Sequence, residues 1–163
     1  MLLAALAVAP WTLNRVREEQ PRSIGLTHPP VPSSVAELEG VLITGRTAPP
    51  GSGPAYAFLR VRAGGEERLW LDSGVVAATG GSPARWKVVA DVQLPPRASG
   101  RVLVMHGCWR AGRLDPTVVA VARADTAEVL TGVERAWKAD LRRRRLVPIT
   151  PIGVRCDNEA YGL

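Results

Sequence analysis

His106 and Cys108 are the two residues whose types and spacing offer the most chemistry in this sequence. A histidine beside a cysteine can generate a thiolate nucleophile, and both side chains are metal ligands. The surrounding residues are typical of a strand, however, where residues i and i+2 lie about 6–7 Å apart, which is loose for a direct hydrogen bond. The only other histidine, His28, lies far away in the sequence. We therefore expect no metal site, and a thiol enzyme using Cys108 and His106 remains an alternative.

Cys108 and Cys156 are the only cysteines of the chain. Each lies at the end of a β-like run, and neighbouring strands about 4.8 Å apart bring Cα atoms within bridging range. We therefore expect one disulfide that joins the strand at 101–108 to the C-terminal strand. Such a disulfide would indicate an oxidising compartment and would remove Cys108 as a nucleophile.

Other signatures of catalysis do not occur in the sequence. Asp72-Ser73 lacks the G-x-S-x-G elbow and has no histidine near it in the chain. The glycine-rich segments 51–54 and 80–83 are not followed by the Lys-Ser/Thr of a phosphate loop. We therefore expect no catalytic residue, no cofactor and no enzymatic activity.

Basic residues outnumber acidic ones by 21 to 15, for a net charge of +6. The excess is spread along the chain apart from the run Arg142, Arg143, Arg144 and Arg145. This run follows a predicted helix, and basic residues are favourable there because the C-terminal end of a helix carries partial negative charge. Contact with a phosphate, an acidic lipid or an acidic protein is the alternative role of this run. No aromatic residue lies within 142–149, which argues against a nucleic-acid module. The expected partner is a protein or an anion.

The chain contains five tryptophans but only one phenylalanine and two tyrosines. Trp86 and Trp137 fall on faces that the sequence pattern predicts to be buried. Trp70 and Trp109 are the candidates to face a partner, because an exposed tryptophan can mark a groove or an interface.

The N-terminal sequence indicates export. Residues 1–9 resemble the apolar region of a secretory signal, and Ala7–Ala9 has the small-x-small form of a cleavage site, although a basic start is missing. No stretch is long enough to cross a bilayer as a helix, so we do not expect an integral membrane protein. Residues 10–36 are Pro-rich and predict an arm or linker, and 37–163 a single domain. The expected location is periplasmic or secreted, with the cytoplasm as the alternative.

Short runs rich in β-formers follow one another from residue 37 onward. Tyr56–Ala63 and Glu66–Leu71 flank Gly64-Gly65, which predicts a hairpin because a type I′ turn needs two positive φ angles. Trp86–Gln93 alternates apolar and polar residues, as a half-buried strand does. Further β-rich runs are Leu38–Thr44, Arg101–Cys108, Thr117–Ala124, 146–149 and 152–155.

One segment, residues 126–140, has the pattern of an amphipathic helix. Asp125 and Glu128 have the spacing of a capping box, and apolar residues at 129, 130, 133, 136 and 137 form one stripe. The predicted fold class is therefore α+β, mainly an antiparallel twisted sheet of five to seven strands with this helix packed on it. The alternative is a small, partly open β-barrel plus helix.

The segments Asp115–Val121, Ala136–Asp140 and Gly153–Leu163 resemble a group of small exported bacterial proteins of unknown function. The resemblance covers residues 86–163 and implies no activity. Where that group has a short glycine-containing turn after the helix, this chain has Arg142–Arg145, which favours a hairpin position for the run and argues against a special role for it.

Three functional hypotheses follow from the sequence. The first is a small exported domain that acts as a non-enzymatic binding or interaction module. The alternative is a protein that binds a polyanion, either nucleic acid or acidic lipid, through Arg142–Arg145. The second alternative is the thiol enzyme that uses Cys108 and His106.

Overall fold

The computed structural model describes residues 23–43, 55–75, 85–96 and 99–161. Within these residues the chain forms strands and no helix, so the described fold is all-β. The strands pair in three antiparallel sheets. The signal-like segment 1–9, the first part of the predicted arm and the glycine-rich segments 51–54 and 80–83 lie outside the described residues.

Sheet 1 has five strands in the order β1-β5-β4-β3-β2. Its strands are β1 (Thr27–His28), β2 (Val35–Leu42), β3 (Tyr56–Ala63), β4 (Glu66–Val75) and β5 (Arg85–Gln93). The predicted hairpin joins β3 to β4, and φ is 59° at Gly64 and 85° at Gly65. A residue with a side chain would be strained at either position, which is why glycine stands at both.

Sheets 2 and 3 each have four strands. Sheet 2 runs in the order β12-β11-β9-β6 and sheet 3 in the order β10-β13-β7-β8. The predicted run at 101–108 is divided between them, because the chain turns at Gly107 with φ of 67°. Sheet 2 contains β6 (Arg101–Val104), β9 (Val118–Arg123), β11 (Val133–Asp140) and β12 (Arg145–Ile149), and sheet 3 contains β7 (Cys108–Arg110), β8 (Arg113–Leu114), β10 (Val129–Leu130) and β13 (Val154–Asp157).

Sheet 2 is the middle layer of the fold and is buried on both faces. On β9, Val119 and Val121 pack towards sheet 1, against residues such as Phe58 and Leu71. The alternate residues Val118, Ala120 and Ala122 pack towards sheet 3, together with Leu130 and both cysteines. A strand buried on both faces has no polar side, so its sequence carries no period-two alternation.

The predicted helix at 126–140 is wrong, and the α+β fold class is wrong with it. The segment forms β10, a two-residue connection at Thr131-Gly132 and the central strand β11. Ala136 and Trp137 lie next to each other and pack into different cores on the two sides of β11. Apolar residues on both faces of the strand thus produced the spacing of a helical stripe. The alternative, a partly open barrel plus this helix, is wrong as well, because residues 126–140 contain no helix.

The capping box predicted at Asp125 and Glu128 is a loop in the structure. Asp125 Oδ1 accepts from the backbone N–H of Thr126, the next residue, at 2.6 Å. The side chain of Asn158 donates to the backbone oxygens of Asp125 and Ala127 at 2.7 and 2.8 Å. The loop is therefore held by the C-terminal segment and does not begin a helix.

Sheet 1 curls into a half-barrel. One cavity is lined by residues from all five strands of this sheet. They include His28 of β1 and Glu37 of β2, and β1 and β2 are the two edge strands of the sheet. The face towards sheet 2 forms part of the main core. On the other face, Leu59, Trp70 and Val88 lie beneath residues of the segment 26–35. The described part of the predicted arm thus contributes β1 and the start of β2 to the sheet.

A bulge in β5 changes which of its residues face the half-barrel interior. Leu71 pairs with Ala90, but the next residue, Asp72, pairs with Val88, so Val89 is the extra residue. Val88 therefore packs in the interior, while Ala90 packs in the core between sheets 1 and 2. The prediction of a strand at Trp86–Gln93 is confirmed. The bulge interrupts the predicted alternation, so the apolar residues of the strand do not all lie on one face.

None of the described residues belongs to a helix of the length and apolarity that a membrane crossing needs.

Candidate binding site in the half-barrel

Strand β4 carries two polar groups into the half-barrel interior. In the run Leu69–Asp72, Leu69 and Leu71 face the main core, so Trp70 and Asp72 face the interior, because successive side chains alternate. Trp70 and Asp72 are each only 1% exposed. The pleat of one strand thus places an indole and a carboxyl group side by side in a buried setting.

The carboxyl group of Asp72 is hydrogen-bonded to His28, which lies 44 positions away. Nε2 of His28 and Oδ2 of Asp72 lie 2.9 Å apart. Strand β1 supplies the histidine, because His28 pairs with Trp86 at the edge of sheet 1. The His28 ring also lies beside the indole of Trp70, with 6.1 Å between centroids.

Two buried polar atoms at this site have no hydrogen-bond partner among the described residues. They are Nε1 of Trp70, a donor, and Oδ1 of Asp72, an acceptor. Burial raises the pKa of Asp72 and the charge of Glu37 raises it further, while His28 opposes both effects. Buried polar atoms are almost always hydrogen-bonded, so these two are exceptions that need an explanation.

Two cavities open on this side of sheet 1. The Asp72 cavity holds about 340 Å³ and is lined by His28, Glu37, Leu42, Ala57, Asp72 and Trp86 among others. The Trp70 cavity holds about 550 Å³ and is lined by Ser23, Leu26, Val35, Ala63, Arg68, Trp70 and Asp91 among others. Both volumes lie in the range of about 300–1,000 Å³ that small-molecule sites occupy.

The polar groups of the Trp70 cavity largely satisfy one another. Arg68 Nε donates to Asp91 Oδ1 at 2.7 Å, and the hydroxyl of Ser23 donates to Asp91 Oδ2. Both oxygens of the buried Asp91 are therefore hydrogen-bonded. The Asp72 cavity differs because its buried carboxyl group has one oxygen without such a partner.

No histidine lies near Asp72 in the sequence, which argued against a histidine partner. In the structure, β1 brings His28 to Asp72. Ser73 does not join the pair. It follows Asp72 on β4, so its side chain points to the opposite face of the sheet, and its register partners are Tyr56 and Lys87. The structure thus brings a histidine and an aspartate together without the neighbouring serine.

The predicted disulfide between Cys108 and Cys156 is confirmed. The two residues are directly opposed on the antiparallel strands β7 and β13, with Cα atoms 4.0 Å apart. Both are fully buried between sheets 2 and 3. The bridge joins β7 to the C-terminal strand, and β7 begins at Cys108.

His106 pairs with a carboxylate in the structure. Its Nδ1 atom lies 3.1 Å from Oε1 of Glu159, and both side chains are more than half exposed. Cys108, two residues later, carries no thiolate while it is disulfide-bonded. The structure therefore gives each of these two residues a partner other than the one that the thiol-enzyme hypothesis requires.

Arg142–Arg145 form the turn between β11 and β12 and the first residue of β12, and all four are exposed. Asp140 accepts from the backbone and side chain of Arg143 at 3.0 and 3.2 Å and from Arg145 at 3.4 Å. The backbone hydrogen bond from Arg143 is the main reason why the pKa of Asp140 is lowered. Within the described residues, Arg142 and Arg144 have no carboxylate at ion-pair distance.

The tryptophans are distributed differently from the prediction. Trp70, a candidate to face a partner, is buried, and Trp137 is buried as predicted but on a strand. Trp86 is half-buried and lines the Asp72 cavity. Trp109 is half-buried in sheet 3, where Arg155 lies over its ring at 5.4 Å and its Nε1 donates to Asp157. Its side chain thus contacts charged residues and does not face an open groove formed by the described residues.

The described residues contain no group of three or more His, Cys, Asp or Glu that could hold a metal ion. No protein-family model, no curated protein and no solved structure matches this chain. The resemblance of residues 86–163 to small exported bacterial proteins therefore stays a prediction. The geometry of the half-barrel is the basis on which a function can be argued.

The sequence contained one signal for this site that sequence reasoning did not use. Asp72 directly continues the apolar run Leu69–Leu71, and an acid at the end of a buried run must either find a partner or change its pKa. That signal identifies Asp72, but it does not identify His28 or Glu37, which reach the cavity only through the curl of sheet 1.

Proposed function

We propose that this chain is an exported, non-enzymatic binding domain and that its ligand site is the interior of the half-barrel. The observation that carries the proposal is that two buried polar atoms, Trp70 Nε1 and Asp72 Oδ1, have no hydrogen-bond partner among the described residues and belong to residues that line the two cavities. Ligand sites combine apolar walls with a few polar groups that fix the orientation of the ligand. The half-barrel interior has this composition.

The disulfide supports the exported part of the proposal. Structural disulfides persist in oxidising compartments and are rare in the cytosol. Intact-mass spectrometry of the protein recovered outside the cytoplasm tests this part. We expect a chain shortened near residue 9 and lighter by the two hydrogens of the oxidised cysteines. A full-length chain with two free thiols, recovered from the cytoplasm, would refute export.

A fragment screen by two-dimensional NMR tests the binding site itself. A mixture of small amines, acids and neutral aromatic compounds is added to the ¹⁵N-labelled, oxidised protein. We expect saturable shifts at residues that line the two cavities, with the Trp70 and Trp86 indole signals among them. Shifts confined to sheet 3, or no saturable shift at all, would overturn the proposal.

A second candidate function rests on the β11–β12 turn. Of its four exposed arginines, Arg143 and Arg145 pair with Asp140, and Arg142 and Arg144 have no ion pair among the described residues. Such a turn offers a contact for a phosphate or sulfate group. Affinity for heparin that falls steeply with salt, and that disappears in Arg142→Gln/Arg144→Gln, would favour it. Equal retention of the variant and the wild type on heparin would rule it out.

A further inference from the structure

The charge of the Asp72 cavity is opposite to that of the whole chain. The chain has a net charge of +6, whereas Asp72 and Glu37 line the cavity and none of its described lining residues is Lys or Arg. Clefts lined by one sign of charge concentrate ligands of the opposite sign. An anion would face two carboxyl groups here, so the balance favours a cation.

Asp72 Oδ1 has no hydrogen-bond partner among the described residues, so the cation must offer a hydrogen-bond donor. Oδ1 of an ionised carboxylate only accepts hydrogen bonds, and it lies buried while Oδ2 already accepts from His28. A charged donor makes a shorter and stronger hydrogen bond to a carboxylate than a neutral donor does. An ammonium group supplies both the positive charge and the missing donor.

The rest of the wall suits an apolar body attached to that group. Trp86, Leu59 and Ala57 line the cavity, and Leu42 lies at its exposed rim. An indole face also attracts cations when they lie within about 6 Å of its centroid. A metal ion is a poor occupant, because the described residues provide no group of three ligands.

We propose that the Asp72 cavity binds an organic ammonium ion, with Asp72 Oδ1 accepting from the ammonium group and Trp86 and the aliphatic wall holding the apolar body. This inference rests on the proposed function, since it names the ligand class of the same half-barrel. Glu37 lies at the rim and contributes charge. A free amine and the lysine side chain of a peptide both offer this chemistry.

The test compares ligands of one shape and three charges by isothermal titration calorimetry. The probes are phenethylamine, 2-phenylethanol and phenylacetate, with the blocked tripeptide Ala-Lys-Ala in parallel. We expect phenethylamine to bind at least about tenfold more tightly than 2-phenylethanol, which corresponds to one good charged contact. Binding of the tripeptide as well would assign the site to a peptide side chain, and binding of phenethylamine alone to a free amine.

Variants assign the preference to the cavity. Asp72→Asn should reduce phenethylamine to the affinity of 2-phenylethanol, while Asp157→Asn, the same change on the exposed end of sheet 3, should leave it unchanged. Glu37→Gln replaces an exposed side chain and should weaken phenethylamine severalfold even if Asp72→Asn fails to fold. Ala57→Phe should abolish binding, because the ring would fill the cavity.

The failures of the two proposals can be told apart. Suppose that 2-phenylethanol or phenylacetate binds as tightly as phenethylamine or more tightly, and that Ala57→Phe blocks this binding. The proposal of an ammonium ligand would then be overturned, and the half-barrel would remain a binding site. If neither phenethylamine nor the tripeptide binds, the proposal of an ammonium ligand is overturned, whatever the fragment screen finds. A fragment screen without shifts in the half-barrel would overturn the proposed binding site itself.

Discussion

His28 Nε2 lies 2.9 Å from Asp72 Oδ2, in a pair that joins the edge strand β1 to the central strand β4 of sheet 1. The side chains are 7% and 2% exposed. The pair therefore holds the segment around β1 against the half-barrel, and Asp72 Oδ1 is left without a hydrogen-bond partner in the part of the chain that the structure describes.

Removing both members of this pair should cost less than the sum of the two single removals. His28→Leu leaves a buried carboxyl group without its partner, and we expect a loss of about 3 kcal/mol in the free energy of unfolding. The double variant His28→Leu/Asp72→Leu should lose less than the sum of the two single variants. Urea denaturation of the four proteins measures this coupling. Strictly additive losses would show that the pair contributes nothing as a pair.

The disulfide should account for a large part of the stability. It closes a loop with a sequence separation of 48 residues, for which the chain-entropy model gives about 4 kcal/mol. Cys108→Ala/Cys156→Ala should therefore unfold at a much lower urea concentration than the oxidised wild type. Reductant should shift the wild type towards the variant and leave the variant itself unchanged. Identical midpoints for the variant and the oxidised wild type would contradict this prediction.

Trp137 should be the tryptophan whose truncation costs most among the strands of sheets 2 and 3. It packs in the core between sheets 1 and 2, so Trp137→Ala should cost about 3–5 kcal/mol. Trp109→Ala is the matched control, since Trp109 is half-buried and contacts mainly Arg155 and Asp157. We expect a clearly smaller loss for the control. Equal losses in chemical denaturation would mean that the burial of Trp137 was assigned wrongly.

Acid should weaken the contact between β11 and the loop before β9 through Asp115. Partial burial alone would raise its pKa, but hydrogen bonds from Lys138 and Thr117 outweigh burial and hold the pKa below the usual 3.8. A lowered pKa in the native state contributes stability above pH 3.8, and this contribution is lost as the pH falls through the native value.

Asp115→Asn should therefore reduce stability at pH 7 and make little difference near pH 2. Denaturation midpoints of the variant and the wild type, measured across this range, should converge as the pH falls. Asp125→Asn, an exposed aspartate in a loop, is the control and should keep a nearly constant offset. A difference between Asp115→Asn and the wild type that persists unchanged at pH 2 would exclude this role for Asp115.

Local features of the fold could be predicted from the sequence, and features that depend on layering could not. Gly64-Gly65 needs only its own backbone conformation to indicate a hairpin, and β3 and β4 form as predicted. Strand β11 lies in the middle layer, so Ala136 and Trp137 are both buried and the period-two pattern is lost. A pattern that assumes one buried face indicated a helix there instead.

The candidate site shows the same division. Cys108 and Cys156 could be paired because the chain has no other cysteine and each ends a β-like run. His28, Glu37 and Asp72 carry no common spacing, since a two-residue edge strand and the curl of sheet 1 bring them to one cavity. Predicting that cavity requires the pairing of β1 with β5, which the sequence of two residues does not specify.

A crystal structure of the oxidised protein grown with its best-binding fragment tests the central claim most directly. The account predicts that the fragment lies in the half-barrel interior, with a donor about 2.7–3.1 Å from Asp72 Oδ1 or an acceptor at that distance from Trp70 Nε1. Crystals of Ala57→Phe, which fills the Asp72 cavity, and Ala63→Phe, which fills the Trp70 cavity, would show which of the two is used. A fragment bound on the outer surface, with both polar atoms hydrogen-bonded to the protein itself, would contradict the account.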